Sequence, residues 1–154
     1  MTENGATEQK VVVFRVGVEE YGVSIAAVKD VQPWVKPTPV PEAPPMVDGV
    51  INLRGEIIPV IDLAKLFRTK HQNAEADSRI MVIEMNDSQA GFVVDDVIEV
   101  QTFSAEAVAP PSPLLRGGAA GRAELVTGIL KVGQGRLVIL VDAQRILASL
   151  HEAQ

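Results

Sequence analysis

The side chains that most often carry catalysis or hold metals are scarce in this chain of 154 residues: it has no cysteine and two histidines, His71 and His151. The lack of cysteine removes disulfides, thiolate nucleophiles and zinc–cysteine sites together. His71 falls in the polar run KHQNAEADS (70–78) and His151 near the C-terminus, so both are expected to be solvated. Asp95 and Asp96 could be read as paired acids or metal ligands, but neighbours on a strand point to opposite faces and no histidine is close in sequence. The glycines of GQG (133–135) and RGGAAGR (116–122) lack the Lys-Ser or Lys-Thr pair of a phosphate loop and the strand-to-helix setting of a dinucleotide site, so turns are the better reading. An enzyme using carboxylates in a small β-barrel is therefore the weaker class. A binding protein that needs neither cofactor nor metal is the stronger one.

Whatever positions these residues must be built from β-branched material. Hydrophobic residues make up 47% of the chain, with 23 Val and 11 Ile against six aromatics, the kind of apolar content that fills pleated sheets. A chain of this length hides roughly 70% of the surface of its unfolded form, as one compact domain or two very small ones. With 14 basic and 20 acidic residues the net charge is −6, and residues 1–77 and 78–154 carry −3 each (8 minus 11, 6 minus 9). There is no basic tail or half to neutralise phosphates, which argues against nucleic acid and anionic lipid as partners. No apolar run approaches the roughly 20 residues that span a bilayer. The N-terminus MTENGATEQK is polar and acidic where a signal peptide would be basic and then apolar. A cytoplasmic protein with no insertion into the membrane is expected.

Along the chain, residues 1–9 show no periodicity and read as a flexible tail, with order from Lys10. VVVFRVGVEEYGVSI reads as a β-hairpin turning at Gly17 to Glu20. Ile25, Val28 and Val31 are spaced for a short helix over 25–32, capped by Ser24 and ended by Pro33. Six of the thirteen residues from Pro33 to Pro45 are proline, which reads as a stiff connection or, less simply, as a polyproline ligand. GVINLRGEIIPVIDL gives a second hairpin turning at Arg54 to Glu56, and Asp62 caps a helix in LAKLFRTK.

After the polar run 70–78 the pattern begins again. RIMVIEM, a turn at Asn86 to Gln89 and GFVVDDVIEV repeat the first hairpin, and Gly22–Val31 overlays Gly91–Val100 at a constant offset of 69. Likewise 55–67 (GEIIPVIDLAKLF) overlays 135–147 (GRLVILVDAQRIL) at an offset of 80, with Asp62 on Asp142. Each half has four or five short strands, too few for a flat sheet to hide its apolar face, so each should close into a small barrel. The expected organisation is one domain over 10–150 made of two barrels, about 10–70 and 79–150, with exchange of a strand possible between them. A long loop is expected over 105–124.

The segments NLRGEIIPVIDL (52–63), EYGV (20–23), VPEAPPMVDGVINLRG (40–55), VVDDVIEV (93–100) and LVILVDAQRIL (137–147) together resemble the CheW family of bacterial chemotaxis coupling proteins, in order and with few gaps from about 11 to 150. The resemblance implies a mainly β fold of two intertwined five-stranded SH3-like β-barrels with short helices. It implies a non-enzymatic adaptor joining the cytoplasmic tip of chemoreceptors to the CheW-like regulatory domain of the histidine kinase CheA, recruited to receptor arrays at the inner face of the membrane. Carried over by position, the receptor groove and signalling residues are Val28, Asp30, Val31, Gly49, Asn52, Arg54 and Gly55, with Asp30 partnering Arg54 from the first helix. Kinase contact in the family comes from the barrel ends; the second barrel is expected to make the main contact and the first a further one that closes rings in arrays.

Plainer readings stand beside these. Arg54 could be a solvated hairpin arginine, and Gly49, Gly55, Gly91 and Gly135 turn or close-packing glycines. Trp34 could anchor the proline loop on the core or make a contact outside. The alternatives within the family are a detached regulatory domain of a kinase and a coupling protein of a non-flagellar pathway. The chain lacks an ATP-binding segment and a phospho-accepting histidine in a helix, so a free-standing coupling protein is expected.

Overall fold

In the computed structural model the described residues are 8–111 and 123–152, and they form eleven strands and two helices. The strands are β1 (Glu8–Val16), β2 (Glu19–Ser24), β3 (Val28–Pro33), β4 (Val47–Leu53), β5 (Glu56–Asp62), β6 (Arg79–Met85), β7 (Ser88–Val94), β8 (Asp96–Ser104), β9 (Val108–Ala109), β10 (Val126–Val132) and β11 (Arg136–Val141). The helices are α1 (Leu63–Leu66) and α2 (Ala143–Glu152), each opened by an aspartate: Asp62 accepts from the amide of Ala64 (2.9 Å), and Asp142 from those of Gln144 (2.8 Å) and Arg145 (3.3 Å). Strand β1 begins at Glu8, two residues ahead of the expected start; the rest of the expected tail and the RGGAAGR run lie outside the described residues.

The strands form a six-stranded sheet, β8-β1-β2-β11-β10-β9, and a five-stranded sheet, β3-β6-β7-β5-β4. Each sheet curls because its two outermost strands are consecutive along the chain. Strand β8 runs through a 3-10 turn, Ala105–Ala107, into β9 on the other edge. In the other sheet Thr38, just beyond β3, exchanges two backbone hydrogen bonds of 2.9 Å with Val50 of β4. The sheets also interlock. The hairpin β1–β2 joins β8–β11, with β2 parallel to β11, and the hairpin β6–β7 joins β3–β5, with β7 parallel to β5. What crosses between the duplicated halves is thus a whole hairpin in each direction.

This interlocking explains the continuous apolar runs. Val11 and Val13 of β1 pack with Phe103, Leu130, Val138 and Leu140 inside one barrel, while Val12, Phe14 and Val16 face the cluster shared by both sheets. Strand β6 does the same, with Ile80 and Val82 inside the other barrel and Met81 and Ile83 in the shared cluster. Strands covered on both faces need no polar alternation. Tyr21 and Phe67 stack at 4.6 Å in the shared core, and half-buried Trp34 packs on the first barrel's own core of Ile51, Ile58, Val60, Ile80, Val82 and Val93.

The helix expected over 25–32 does not form. Ser24 caps, through its hydroxyl, only the 3-10 turn Ile25–Ala27, and Val28–Pro33 then pairs antiparallel with β6. A spacing of three is ambiguous over so few residues, and the open edge of β6 offers the backbone a ladder that an isolated helical turn does not. The helix expected over 63–70 is likewise only the single turn Leu63–Leu66.

Candidate functional site

The seven candidate residues lie on the two edge strands of the five-stranded sheet and in the turn that follows β4. Val28, Asp30 and Val31 lie on β3, not on a helix, Gly49 and Asn52 on β4, and Arg54 and Gly55 in the turn between β4 and β5. Strands β3 and β4 are opposite edges of that sheet, and its curl brings Arg54 Nη2 to 3.4 Å from Asp30 Oδ2. The Arg54 side chain is 75% exposed and that of Asp30 35%. A pair so open to water contributes roughly 0.2–1 kcal/mol, so the fold does not depend on it.

The NLRG turn is built locally. Asn52 Oδ1 accepts the amide hydrogen of Gly55 at 2.9 Å, and this closes a turn in which Arg54 (φ 53°) and Gly55 (φ 89°) are both left-handed. The asparagine thereby sets the direction from which the arginine leaves the hairpin. Gly49 has a packing role: a Cβ there would sit 2.2 Å from the carbonyl oxygen of Thr38, so glycine permits the edge pairing that curls the sheet. Val28 is half-buried against the shared core, whereas Val31 is exposed.

Sequence reasoning missed Ile57. It pairs with Asn52 across the hairpin and is 64% exposed, an apolar side chain held in water beside the turn. The available signal was its place in the motif, on the solvent side of the strand that follows NLRG. An apolar depression of about 900 Å³ lies elsewhere, between the proline loop, β4, β5 and α2, and none of the seven candidates lines it.

The second barrel holds the counterpart. Glu99, at the position 69 residues beyond Asp30, receives Arg136 Nη2 at 2.7 Å, and Glu20 of β2 receives Nε of the same guanidinium at 2.9 Å. Val100 and Leu137, which overlay Val31 and Ile57, are exposed in the same way.

His71 and Asp95 depart from expectation. His71 is half-buried and partnered: Nε2 is 2.6 Å from Asp62 Oδ1, and Nδ1 is 3.2 Å from Asp95 Oδ1, off the line of a hydrogen bond. Asp95 lies between β7 and β8 and is fully buried, accepting the amide hydrogens of Gly17 (2.7 Å), Gln72 (3.0 Å) and Asn73 (3.1 Å). Burial alone would raise its carboxyl, but those donors and the His71 charge outweigh burial and hold it below the ordinary aspartate value. Asp96 instead pairs with Arg15 Nη2, whose Nη1 lies 4.0 Å from Asp95, while Asp95 is held mainly by backbone amides. Among the described residues, no group of three or more His, Cys, Asp or Glu is placed to hold a metal ion, and no helix is long and apolar enough to cross a membrane.

The curated chemotaxis protein CheW of Bacillus subtilis (strain 168) is 33% identical over 148 residues, covering 96% of this chain and 92% of that protein. The chemotaxis protein CheW of Treponema pallidum (strain Nichols) is 31% identical, covering 91% and 82%. The crystal structure of scaffolding protein TtCheW from Thermoanaerobacter tengcongensis superposes with a TM-score of 0.78 at 37% identity, over 88% of this chain and 84% of that one. The mainly β fold expected for two intertwined five-stranded SH3-like barrels is the fold of that scaffold, although here the sheets have six and five strands. The sequence profile of the CheW-like domain matches residues 10–151, and the chain belongs to the CheW-like family.

Proposed function

We propose that this chain couples chemoreceptors to the histidine kinase CheA, with the edge strands and hairpin turn that carry the seven residues reading the receptor tip. As a CheW-like protein it works in chemotaxis signalling as an adaptor, not as an enzyme. Phosphorylation is then performed by the kinase, and the chain is drawn to receptor arrays at the inner face of the membrane by its partners.

The observation that carries the receptor assignment is the exposed Arg54–Asp30 pair at a hairpin turn held by Asn52, with exposed Ile57 on that hairpin and exposed Val31 on the facing edge strand. Apolar side chains supply area for a helical partner, and an orienting polar pair supplies register. Val28 anchors β3 on the shared core, and Gly49 permits the Thr38–Val50 pairing on the other edge of the same sheet. The second barrel repeats the apolar elements at Val100 and Leu137, which supports a related contact there, and we assign to that barrel the main contact with the kinase's CheW-like domain.

A reconstituted assay with receptor, CheA and this protein, leaving each out in turn, tests the coupling role. Kinase autophosphorylation should rise only when all three are present. Output that is the same with and without this protein, in the presence of a cognate receptor, overturns the proposal.

A further inference from the structure

His71 stands where the two sheets meet, and the carboxylates of Asp62 and Asp95 approach its opposite ring nitrogens, at 2.6 and 3.2 Å. A neutral imidazole can hydrogen-bond Asp62 through Nε2, but its Nδ1, 3.2 Å from Asp95 and off the line of a hydrogen bond, then offers that carboxylate no positive charge. The imidazolium alone suits both sides. The ring sits on the 70–78 connection, whose next two amides, Gln72 and Asn73, donate to Asp95, and Asn73 Nδ2 reaches the Asp95 carbonyl at 3.0 Å. Asp95 also holds the amide of Gly17 in the β1–β2 turn, and Asp62 ends β5 and caps α1. One side chain thus joins the connection to groups belonging to both sheets.

We propose that His71 is a proton-controlled latch between the barrels: as imidazolium it fastens the 70–78 connection to Asp62 and Asp95, and loss of its proton releases that connection.

The surrounding charges do not substitute for it. Arg15 Nη1 is 4.0 Å from Asp95, but its other nitrogen is engaged by Asp96. Lys65 on α1 is bound to Asp48 at 2.8 Å and feels Asp62 and Glu75 only through space. Lys70 precedes the ring in the chain. The hydrogen bond to Asp62 raises the His71 pKa above its ordinary 6.5 against the opposing effect of burial, and the charges of Asp62 and Asp95 add to the rise. A histidine raised in the folded state contributes stability that is complete below its unfolded value and is lost as pH climbs through the folded one. The latch is therefore closed in mild acid and opens above the ordinary histidine range.

The test is an NMR titration of the full chain, following the ring protons of His71, told from those of His151 by the His71→Gln variant. Amide exchange at Gln72 and Asn73, corrected for the intrinsic rate, is read alongside. The His71 midpoint should lie above 6.5. Protection of the two amides should fall about fivefold between about pH 6 and about pH 8.5 in the native protein and stay level in H71Q. A midpoint at or below 6.5, protection that does not change with pH, or the same fall in H71Q each overturns the latch. Should H71Q fail to fold, Asp62→Asn, which keeps the cap acceptor, must lower the His71 midpoint; an unmoved midpoint counts against the proposal.

Discussion

The two barrels carry the same kind of acid–arginine pair at different strength. In the first, Asp30 on the edge strand meets Arg54 through one contact of 3.4 Å on an open surface. In the second, Glu99 at the equivalent position meets Arg136 at 2.7 Å, and Glu20 grips the same guanidinium at 2.9 Å. The arginine precedes the turn glycine in one case (Arg54–Gly55) and follows it in the other (Gly135–Arg136). In both barrels an acid on one edge strand is met by an arginine beside a hairpin turn, supplied from different positions of the repeat. The third group, Glu20, comes from the hairpin exchanged between halves, so the barrel that received β2 has a clasp occupied by its own chain. In the other barrel the corresponding pair stays open to water.

The sharpest way to break this comparison is at the glycines that allow each closure. Gly49 is at φ 146°, and its Cβ would meet backbone, the Thr38 oxygen at 2.2 Å; a Cβ on Gly128 would meet the Val108 side chain at 2.4 Å, which can turn aside more easily. Gly49→Ala should cost about 3 kcal/mol and Gly128→Ala about 1 kcal/mol in denaturant unfolding. Equal costs would show that both closures are equally rigid.

Next in size are two lysine substitutions on one strand. Val28→Lys puts a charge against the shared core and should destabilise by about 2 kcal/mol, whereas exposed Val31→Lys should leave unfolding within about 0.5 kcal/mol of native. Val31→Lys should nevertheless weaken receptor binding and spare kinase binding in pull-downs. Equal loss of both partners would remove Val31 from the receptor surface.

The smallest effects concern the clasps themselves. Arg136→Ala leaves Glu20 and Glu99 without their shared cation and should cost about 1 kcal/mol at low salt, less at high salt, while Arg54→Ala should cost under about 0.5 kcal/mol. For signalling the order should reverse. Asp30→Arg together with Arg54→Asp should recover part of what each reversal loses alone in receptor-dependent kinase activation, and strictly additive losses would show that the pair does not act as one.

Much of the architecture was legible because it follows from short-range chemistry and repetition. The offsets of 69 and 80 predicted two related units, and the closure of Gly49 on Thr38 is repeated by Gly128 on Val108. Asp62 caps its helix as its position ahead of an apolar run suggested, and Asp142, which overlays it, does the same. The NLRG turn also follows from its letters, since asparagine, a left-handed residue and glycine suffice to close it. The strand from Val28 to Pro33 was not legible: its six residues satisfy a helical and a strand spacing alike, and the choice belongs to the edge of β6, some fifty residues away.

By itself the sequence determined the apolar runs, the turns, the caps and the duplication, all of which depend on residues within a few positions of one another or on likeness between segments. Tertiary structure alone decided which sheet each hairpin joined, because the parallel junctions of β2 with β11 and β7 with β5 pair residues with no local tie. It alone turned a histidine in a polar run into a bridge between buried carboxylates. Gly17, Asp62, His71 and Asp95 are spread over 79 positions, and they converge only after the interlocked sheets have brought three separate turns together.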